Sequence, residues 1–293
     1  MADSLHSKML DYPENYAIQD TIDIASGIEE AYSKIRGYKG VILCDIPSEQ
    51  RNDLVKFCFG LGIQTYTTPK ITDIIMRGAA EVKLFDTPLL LNRSNGLTIE
   101  QRFVKRVMDI VLSAVGLVVA LPLMVLVAVS VKLYDRGSVL YSQERLTIGG
   151  KVFRLYKFRS MVVDAEKKDG PRLAAEGDSR ITPVGRITRR FRLDELPQLF
   201  CVFLGHMSIV GPRPERPELA LEHMKTMPEF AYRLKVKAGL TGLAQTAGRY
   251  NTTAYDKLRL DLVYISTFSV LQDLKAIFST VRILFAREST EGV

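Results

Sequence analysis

The sequence predicts an α/β chain with one helix embedded in a membrane. Three observations carry that prediction. Strand-length apolar runs alternate with helix-length segments before residue 97, an uncharged stretch fills 110–131, and strand and helix patterns resume beyond it.

ASGIEEAYSKIRGY (25–38) reads as a helix. KGVILCDIP (39–47) is a short apolar run that ends in proline, the pattern of a buried strand. SEQRNDLVKFCFGLG (48–62) opens on a capping serine and closes on glycine, as a helix does. IQTYTTP (63–69) is the next strand, which completes a βαβ unit. A dinucleotide site in such a unit needs G-x-G-x-x-G after the first strand, and no such turn is present. The unit therefore reads as structural or regulatory. LLLNRSNGLT (89–98) is polar in its middle and sets the boundary between domains 1–97 and 98–293.

IVLSAVGLVVALPLMVLVAVSV (110–131) holds no charge in 22 positions, beyond the roughly 18 apolar residues that mark a membrane helix. Two features oppose a simple span. Pro122 lies at the middle and removes a backbone hydrogen bond. Basic residues flank both sides, Arg102, Lys105 and Arg106 before and Lys132 and Arg136 after, so the flanking charge gives no direction. A helix over about 103–134, bent at Leu121-Pro122 and returning to the same face, keeps both flanks on one side. Ser113, Gly116 and Ser130 are the residues expected to ease the bend. Farther on, YSQERL and KVFRLYKFRSM read as two strands around Gly149-Gly150, and 261–288 has helical apolar spacing.

Composition narrows the partners. Residues 1–97 carry a balance of −3 and residues 98–293 a balance of +10, so the second part meets something anionic. A nucleic-acid binder has no use for the 110–131 stretch, and the chain has no tryptophan and keeps its Tyr and Phe mostly in apolar runs, so nucleic acid is excluded as the partner. The N-terminal MADSLHSKMLDYPEN has no apolar core and does not read as a secretory signal. Cys44, Cys58 and Cys201 are far apart in apolar surroundings, which suggests buried thiols, and the three histidines lack zinc-site spacing.

RRFRLDELPQL (189–199) sets Asp194 and Glu195 directly after Arg186, Arg189, Arg190 and Arg192. Asp is a favoured N-cap and proline suits a first turn, so a helix is expected to start at Asp194. A helix N-terminus among arginines attracts anions and is expected to keep Asp194 ionised. An ionised carboxylate held against a phosphate can attack phosphorus and form an acyl phosphate. YKFRSM (156–161) places Lys157 and Arg159 on one strand face. VGPRPERPE (210–218) fixes Arg213 between prolines, and the Gly-rich KAGLTGLAQTAGRYN (237–251) carries Arg249.

Together, the flanked apolar segment, QER, YKFRSM, RLDELPQL, MSIVGPRP, GLTGLAQTAGR and RLDLVYI resemble, in that order, the bacterial sugar transferases, the monotopic polyprenyl-phosphate phosphoglycosyl transferases. The resemblance covers roughly 100–290. It implies a partial Rossmann-like α/β module in 1–97 and, in 98–293, an α+β catalytic domain with a re-entrant membrane helix. It implies transfer of a sugar phosphate from a nucleotide diphosphate sugar, usually a UDP-sugar, to polyprenyl phosphate, releasing UMP, at the cytoplasmic face of the bacterial inner membrane. By the same resemblance Asp194 is the nucleophile, Glu195 assists proton removal, and Mg²⁺ lies close to Asp194. Lys157, Arg159, Arg189, Arg213, Arg249 and Asp261 match the family's substrate-handling positions. The family's bend often falls at Ser-Pro, where this chain has Leu121-Pro122. A homo-oligomer built through the N-terminal module stays open, and so does a non-catalytic membrane scaffold, which would keep the anchor and basic surface without needing Asp194.

Overall fold

The computed structural model describes residues 2–10, 17–92, 96–163, 165, 178–248 and 252–285. The chain forms two compact units, Met1–Lys70 and Ile71–Val293.

The first unit contains helices α1 (Ala2–Leu10) and α2 (Ile28–Ile35), strand β1 (Gly40–Leu43), helix α3 (Ser48–Gly60) and strand β2 (Gln64–Thr67). β1 and β2 pair in parallel, from Gly40 opposite Gln64 to Leu43 opposite Thr67. This is the expected βαβ unit. Ala31, Ile35, Leu43, Leu54 and Cys58 form its core.

The division falls after Lys70, not at the expected residue 97. Ile74 of helix α4 (Ile71–Arg77) and Leu97 are buried in the second unit's core with Leu258 and Leu262. That burial assigns the intervening segment to the second unit. Strands β3 (Ala80–Leu84) and β4 (Thr87–Leu91) form an antiparallel hairpin between them.

Helix α5 (Ile99–Asp135) starts at a capping box made by Thr98 and Gln101 and runs unbroken through Pro122. At about 1.5 Å per residue it is about 55 Å long. Only 17% of its most apolar stretch is buried, so it is not the core helix of a soluble domain. Val111, Val115, Val118, Val119, Leu121 and Val125 are exposed along it.

Its polar residues turn inward. Lys105 Nζ lies 2.6 Å from Asp273 Oδ2. Asp109 Oδ1 accepts hydrogen bonds from Ser208 Oγ and Ile209 N, both at 2.9 Å. Arg106 donates from both terminal nitrogens to the carbonyls of Val202 and Phe203, at 2.9 and 2.8 Å. At the far end Asp135 pairs with Arg159, and Met124, Val127 and Val131 pack with Phe158. Both ends of α5 therefore hold the same unit. A straight span would place those ends on opposite sides of about 30 Å of hydrocarbon, which the contacts do not allow without drawing charged residues into it. The arrangement fits the expected re-entrant helix.

Two expectations change here. Lys105 and Arg106 are internal anchors, not flanking surface charges. Ser113 and Ser130 donate to carbonyls one turn back, those of Asp109 and Leu126, and do not reach the Val118 carbonyl that Pro122 frees.

Strands β5 (Leu140–Leu146) and β6 (Val152–Phe158) form the predicted hairpin, with Leu140 opposite Phe158. Gly149 and Gly150 in its turn have φ of +67° and +75°, which glycine adopts without strain. Helices α6 (Pro183–Arg190) and α7 (Gln198–Phe203) follow, then strand β7 (Ser208–Val210), helix α8 (Pro217–Thr226) and strand β8 (Gly239–Thr241), which pairs in parallel with β7. Helices α9 (Leu243–Ala247), α10 (Ala254–Ser266) and α11 (Val270–Phe285) end the described chain. The single helix expected over 261–288 is thus two, because α10 stops with Thr267 as its C-cap.

α6 starts at Thr182, whose Oγ1 accepts from Gly185 N at 2.9 Å. Gly185 packs directly on the carbonyl of Ser160, and a Cβ there would overlap that oxygen. Gly185→Ala is expected to lower stability by about 1–3 kcal/mol, read as an earlier midpoint in thermal unfolding in detergent.

Candidate active site

Leu193 and Leu196 pack against the α5 cluster of Met124, Val127, Val131 and Phe158. Between them lies the 3-10 turn Leu193–Glu195, entered through Arg192 in a left-handed conformation, φ +52°. A non-glycine residue in that conformation is strained by about 1–3 kcal/mol, and such strain concentrates at functional sites. The apolar side chains flanking Asp194 and Glu195 thus seat both carboxylates beside the apolar helix.

The expected helix start at Asp194 is not observed. α7 begins at Gln198, with Pro197 as its N-cap and no side chain capping it. Six residues make a weak dipole, so the anion attraction of this site comes from side-chain charge. The Asp194 carboxyl is left out of capping.

The two neighbouring carboxylates have different partners. Glu195 Oε1 is 2.7 Å from Lys157 Nζ and 3.4 Å from an Arg213 terminal nitrogen. Burial opposes its ionisation, yet Lys157, Arg213 and Arg192 hold its carboxyl well below the usual carboxylate range. Asp194 is only 8% exposed. Burial, and then the charge of Glu195, push its carboxyl up to about 6, against the pull of Lys157 and Arg189. The expectation that the arginines keep Asp194 ionised is therefore corrected, because burial and the neighbouring Glu195 charge outweigh the pull of Lys157, which pairs with Glu195, and of Arg189. Asp194 remains mostly ionised above neutrality and keeps a carboxylate without an ion pair of its own among the described contacts.

Of the four clustered arginines, Arg186, Arg190 and Arg192 are exposed and Arg189 is the one turned inward. Arg189 Nε donates to Ser160 Oγ at 2.8 Å. Arg159 is engaged with Asp135 at the end of α5. Arg249 lies outside the described residues.

Asp261 does not line this site. It is 1% exposed, and its Oδ2 lies 2.7 Å from a terminal nitrogen of Arg233. That same nitrogen donates to the Arg213 carbonyl at 3.1 Å, while Arg145 donates to the Pro214 carbonyl at 3.0 Å. Leu146 N donates to the Glu215 carbonyl, also at 3.0 Å. Three consecutive carbonyls are thus fixed, so the loop that aims Arg213 at Glu195 is rigid. Asp261 is joined to this loop through Arg233. Sequence reading held Arg145, Ser160 and Glu215 within motifs without giving them a role, and missed Arg233. The alternation of β5, which turns Arg145 towards the loop, is the available signal for the first, and no local pattern marks Arg233.

Among the described residues no three His, Cys, Asp or Glu side chains cluster as a ready metal cage. Mg²⁺ is commonly held by one or two carboxylates with substrate phosphates and water. Asp194, whose carboxyl is pushed up by burial beside an anion, suits that donor set, and a dication there would relieve both effects.

A sequence profile of the family described as bacterial sugar transferase matches residues 100–287. An Aeromonas hydrophila protein, UDP-N-acetylgalactosamine-undecaprenyl-phosphate N-acetylgalactosaminephosphotransferase, is 40% identical over 183 residues, covering 61% of this chain and 43% of that protein. A Caulobacter vibrioides UDP-glucose:undecaprenyl-phosphate glucose-1-phosphate transferase is 40% identical over 192 residues, 63% of this chain and 71% of its own length. The Rhizobium leguminosarum bv. phaseoli exopolysaccharide production protein PSS is 40% identical over 185 residues, 60% of this chain and 92% of that protein. The chain thus spans less than half of the Aeromonas relative and most of the Rhizobium one. The match starts where α5 starts and runs through every motif that builds the Asp194 site, and the chain belongs to the bacterial sugar transferase family.

Proposed function

We propose that this chain transfers a sugar phosphate from a UDP-sugar to polyprenyl phosphate at the cytoplasmic face of a bacterial inner membrane. One observation carries the reading: a buried carboxylate, Asp194, sits without an ion pair among the described residues beside a carboxylate that holds two cations, on a turn packed against an exposed apolar helix. The relatives' printed names supply the substrate classes.

In the first step the Asp194 carboxylate attacks the phosphorus that bears the sugar. The bond from that phosphorus to the UMP oxygen breaks, UMP leaves, and an aspartyl phosphosugar remains. In the second step a phosphate oxygen of polyprenyl phosphate attacks the same phosphorus. The Asp194 oxygen leaves as carboxylate, and polyprenyl diphosphate sugar forms. Lys157, Arg213 and Arg189 bind the phosphates, and Arg159 and Arg249, which match the family's motifs, join them. Substrate phosphates that draw Lys157 and Arg213 from Glu195 raise its basicity, which suits it to take a proton from the lipid phosphate. Mg²⁺ would be held by Asp194, where it supplies charge stabilisation for the transferring phosphoryl group.

The first test is UMP release in lipid nanoparticles with Mg²⁺, polyprenyl phosphate and a panel of UDP-sugars. Release with a UDP-sugar supports the reading, and no release with any of them from folded protein contradicts it. A pH series adds a second test. The carboxyl value of about 6 means that Asp194 is protonated below that pH. A dication at Asp194 lowers that value, so with Mg²⁺ present UMP release in the first turnover should rise about tenfold per pH unit at acid pH and level off before pH 6 is reached.

A further inference from the structure

An apolar groove of about 470 Å³ lies beside the charged centre and belongs to none of the roles above. Met124, Val125 and Ala128 of α5 form one wall, Tyr156 and Phe158 of β6 another, and Pro197 and Phe200 close it. Val139 and Leu140 complete the lining, which presents no polar surface.

Two features identify the occupant. The groove ends at the reacting turn: Pro197 is two residues past Glu195, hence within about 7 Å along the chain. Lys157 lies between Tyr156 and Phe158, so β6 gives a cation to Glu195 from one face and apolar walls to the groove from the other. The groove is also continuous with the lipid-facing side of α5, since Leu121, Val125, Leu140 and Phe200 are all exposed. A ligand that fits has a phosphate at one end, an apolar chain joined to it, and an origin in the bilayer.

We infer that this groove seats the first isoprenoid units of the acceptor, setting the acceptor phosphate against Asp194 and selecting for a prenyl chain. The inference rests on the transferase reading above. A soluble alkyl phosphate lacking those units should then be a poor acceptor even when its phosphate is identical. The favourable term is burial of apolar chain, so affinity should grow with each unit until the groove is full and change little beyond it.

The test separates the two half-reactions. Without acceptor, the UMP released in one turnover reports the donor step alone. With acceptor, the KM for geranyl, farnesyl and longer prenyl phosphates reports the groove. Wild type should show KM falling about tenfold over the short chains. Ala128→Phe, which fills the groove, should raise the KM of long acceptors about tenfold and flatten the chain-length dependence, with the single-turnover UMP yield unchanged. Phe200→Leu, a milder change in a half-exposed side chain, should shift KM in the same direction by a smaller factor and guards against misfolding of the first variant. Chain-length dependence that survives both variants overturns the groove assignment. So does a loss of membrane binding with acceptor KM unchanged, which would mean that a phospholipid acyl chain occupies it. Absence of UMP from the wild type both without and with acceptor sinks the transferase reading instead.

Discussion

Asp194→Asn is expected to fold better than the wild type at pH 8 while losing UMP release on the order of 10³-fold or more. The two effects share one cause. The folded carboxyl value of about 6 lies above its ordinary value of 3.8. Between those values the folded chain holds a proton that the unfolded chain has released, so this group's contribution is most favourable at low pH and is lost as pH rises through 6. At pH 8 the buried charge costs on the order of 2–3 kcal/mol, and an amide of the same shape carries none of it. Thermal unfolding in detergent with EDTA should therefore show Asp194→Asn above wild type at pH 8 and level with it near pH 4. EDTA matters because a dication at Asp194 would hide the effect. A variant that lost activity by unfolding would show the opposite shift. A variant that kept its activity would remove Asp194 from the role of nucleophile.

Lys105→Met should be the most destabilising of the single changes considered. Lys105 and Asp273 are both buried, 2.6 Å apart, and the ammonium also lies over the rings of Tyr264 and Phe268 at 5.6 and 5.4 Å. Tyr264 donates to the other Asp273 oxygen at 2.8 Å. Removing the lysine leaves a buried carboxylate with one neutral donor, a loss of about 3–5 kcal/mol. Asp273→Asn added to Lys105→Met removes the stranded charge and keeps an acceptor for Tyr264. The double variant should recover at least half of the loss in denaturant titration. Equal stability of the single and double variants would show that the pair is not the anchor of α5.

Several elements could be read from the sequence because their signals are local. The β5–β6 hairpin follows from two apolar-periodic runs around Gly149-Gly150, and α3 falls on the expected run, although its N-cap is Pro47 and the expected Ser48 cap is not formed. The adjacency of Asp194 and Glu195 is covalent, so their pairing needed no fold. What they do electrostatically was not legible. Lys157 reaches Glu195 from 38 residues away, so the local arginine cluster pointed to the wrong carboxylate. The helix start also misled, since Asp194 and Pro197 suit a first turn equally well in a 3-10 segment packed by Leu193 and Leu196. Lys105 and Arg106 resembled flanking surface charges because their partners are long-range: Asp273 lies 168 residues on. The domain boundary shifted for the same reason, as only the packing of Ile74 and Leu97 reveals their core.

The central claim is that Asp194 becomes covalently linked to the phosphosugar. Intact-protein mass spectrometry after incubation with Mg²⁺ and the active UDP-sugar, without acceptor, tests it most directly. The account predicts an adduct of one sugar phosphate on the wild type, absent from Asp194→Asn and discharged when polyprenyl phosphate is added. UMP formed only when both substrates are present, with no adduct at any time, would contradict it and point to direct transfer between the two phosphates.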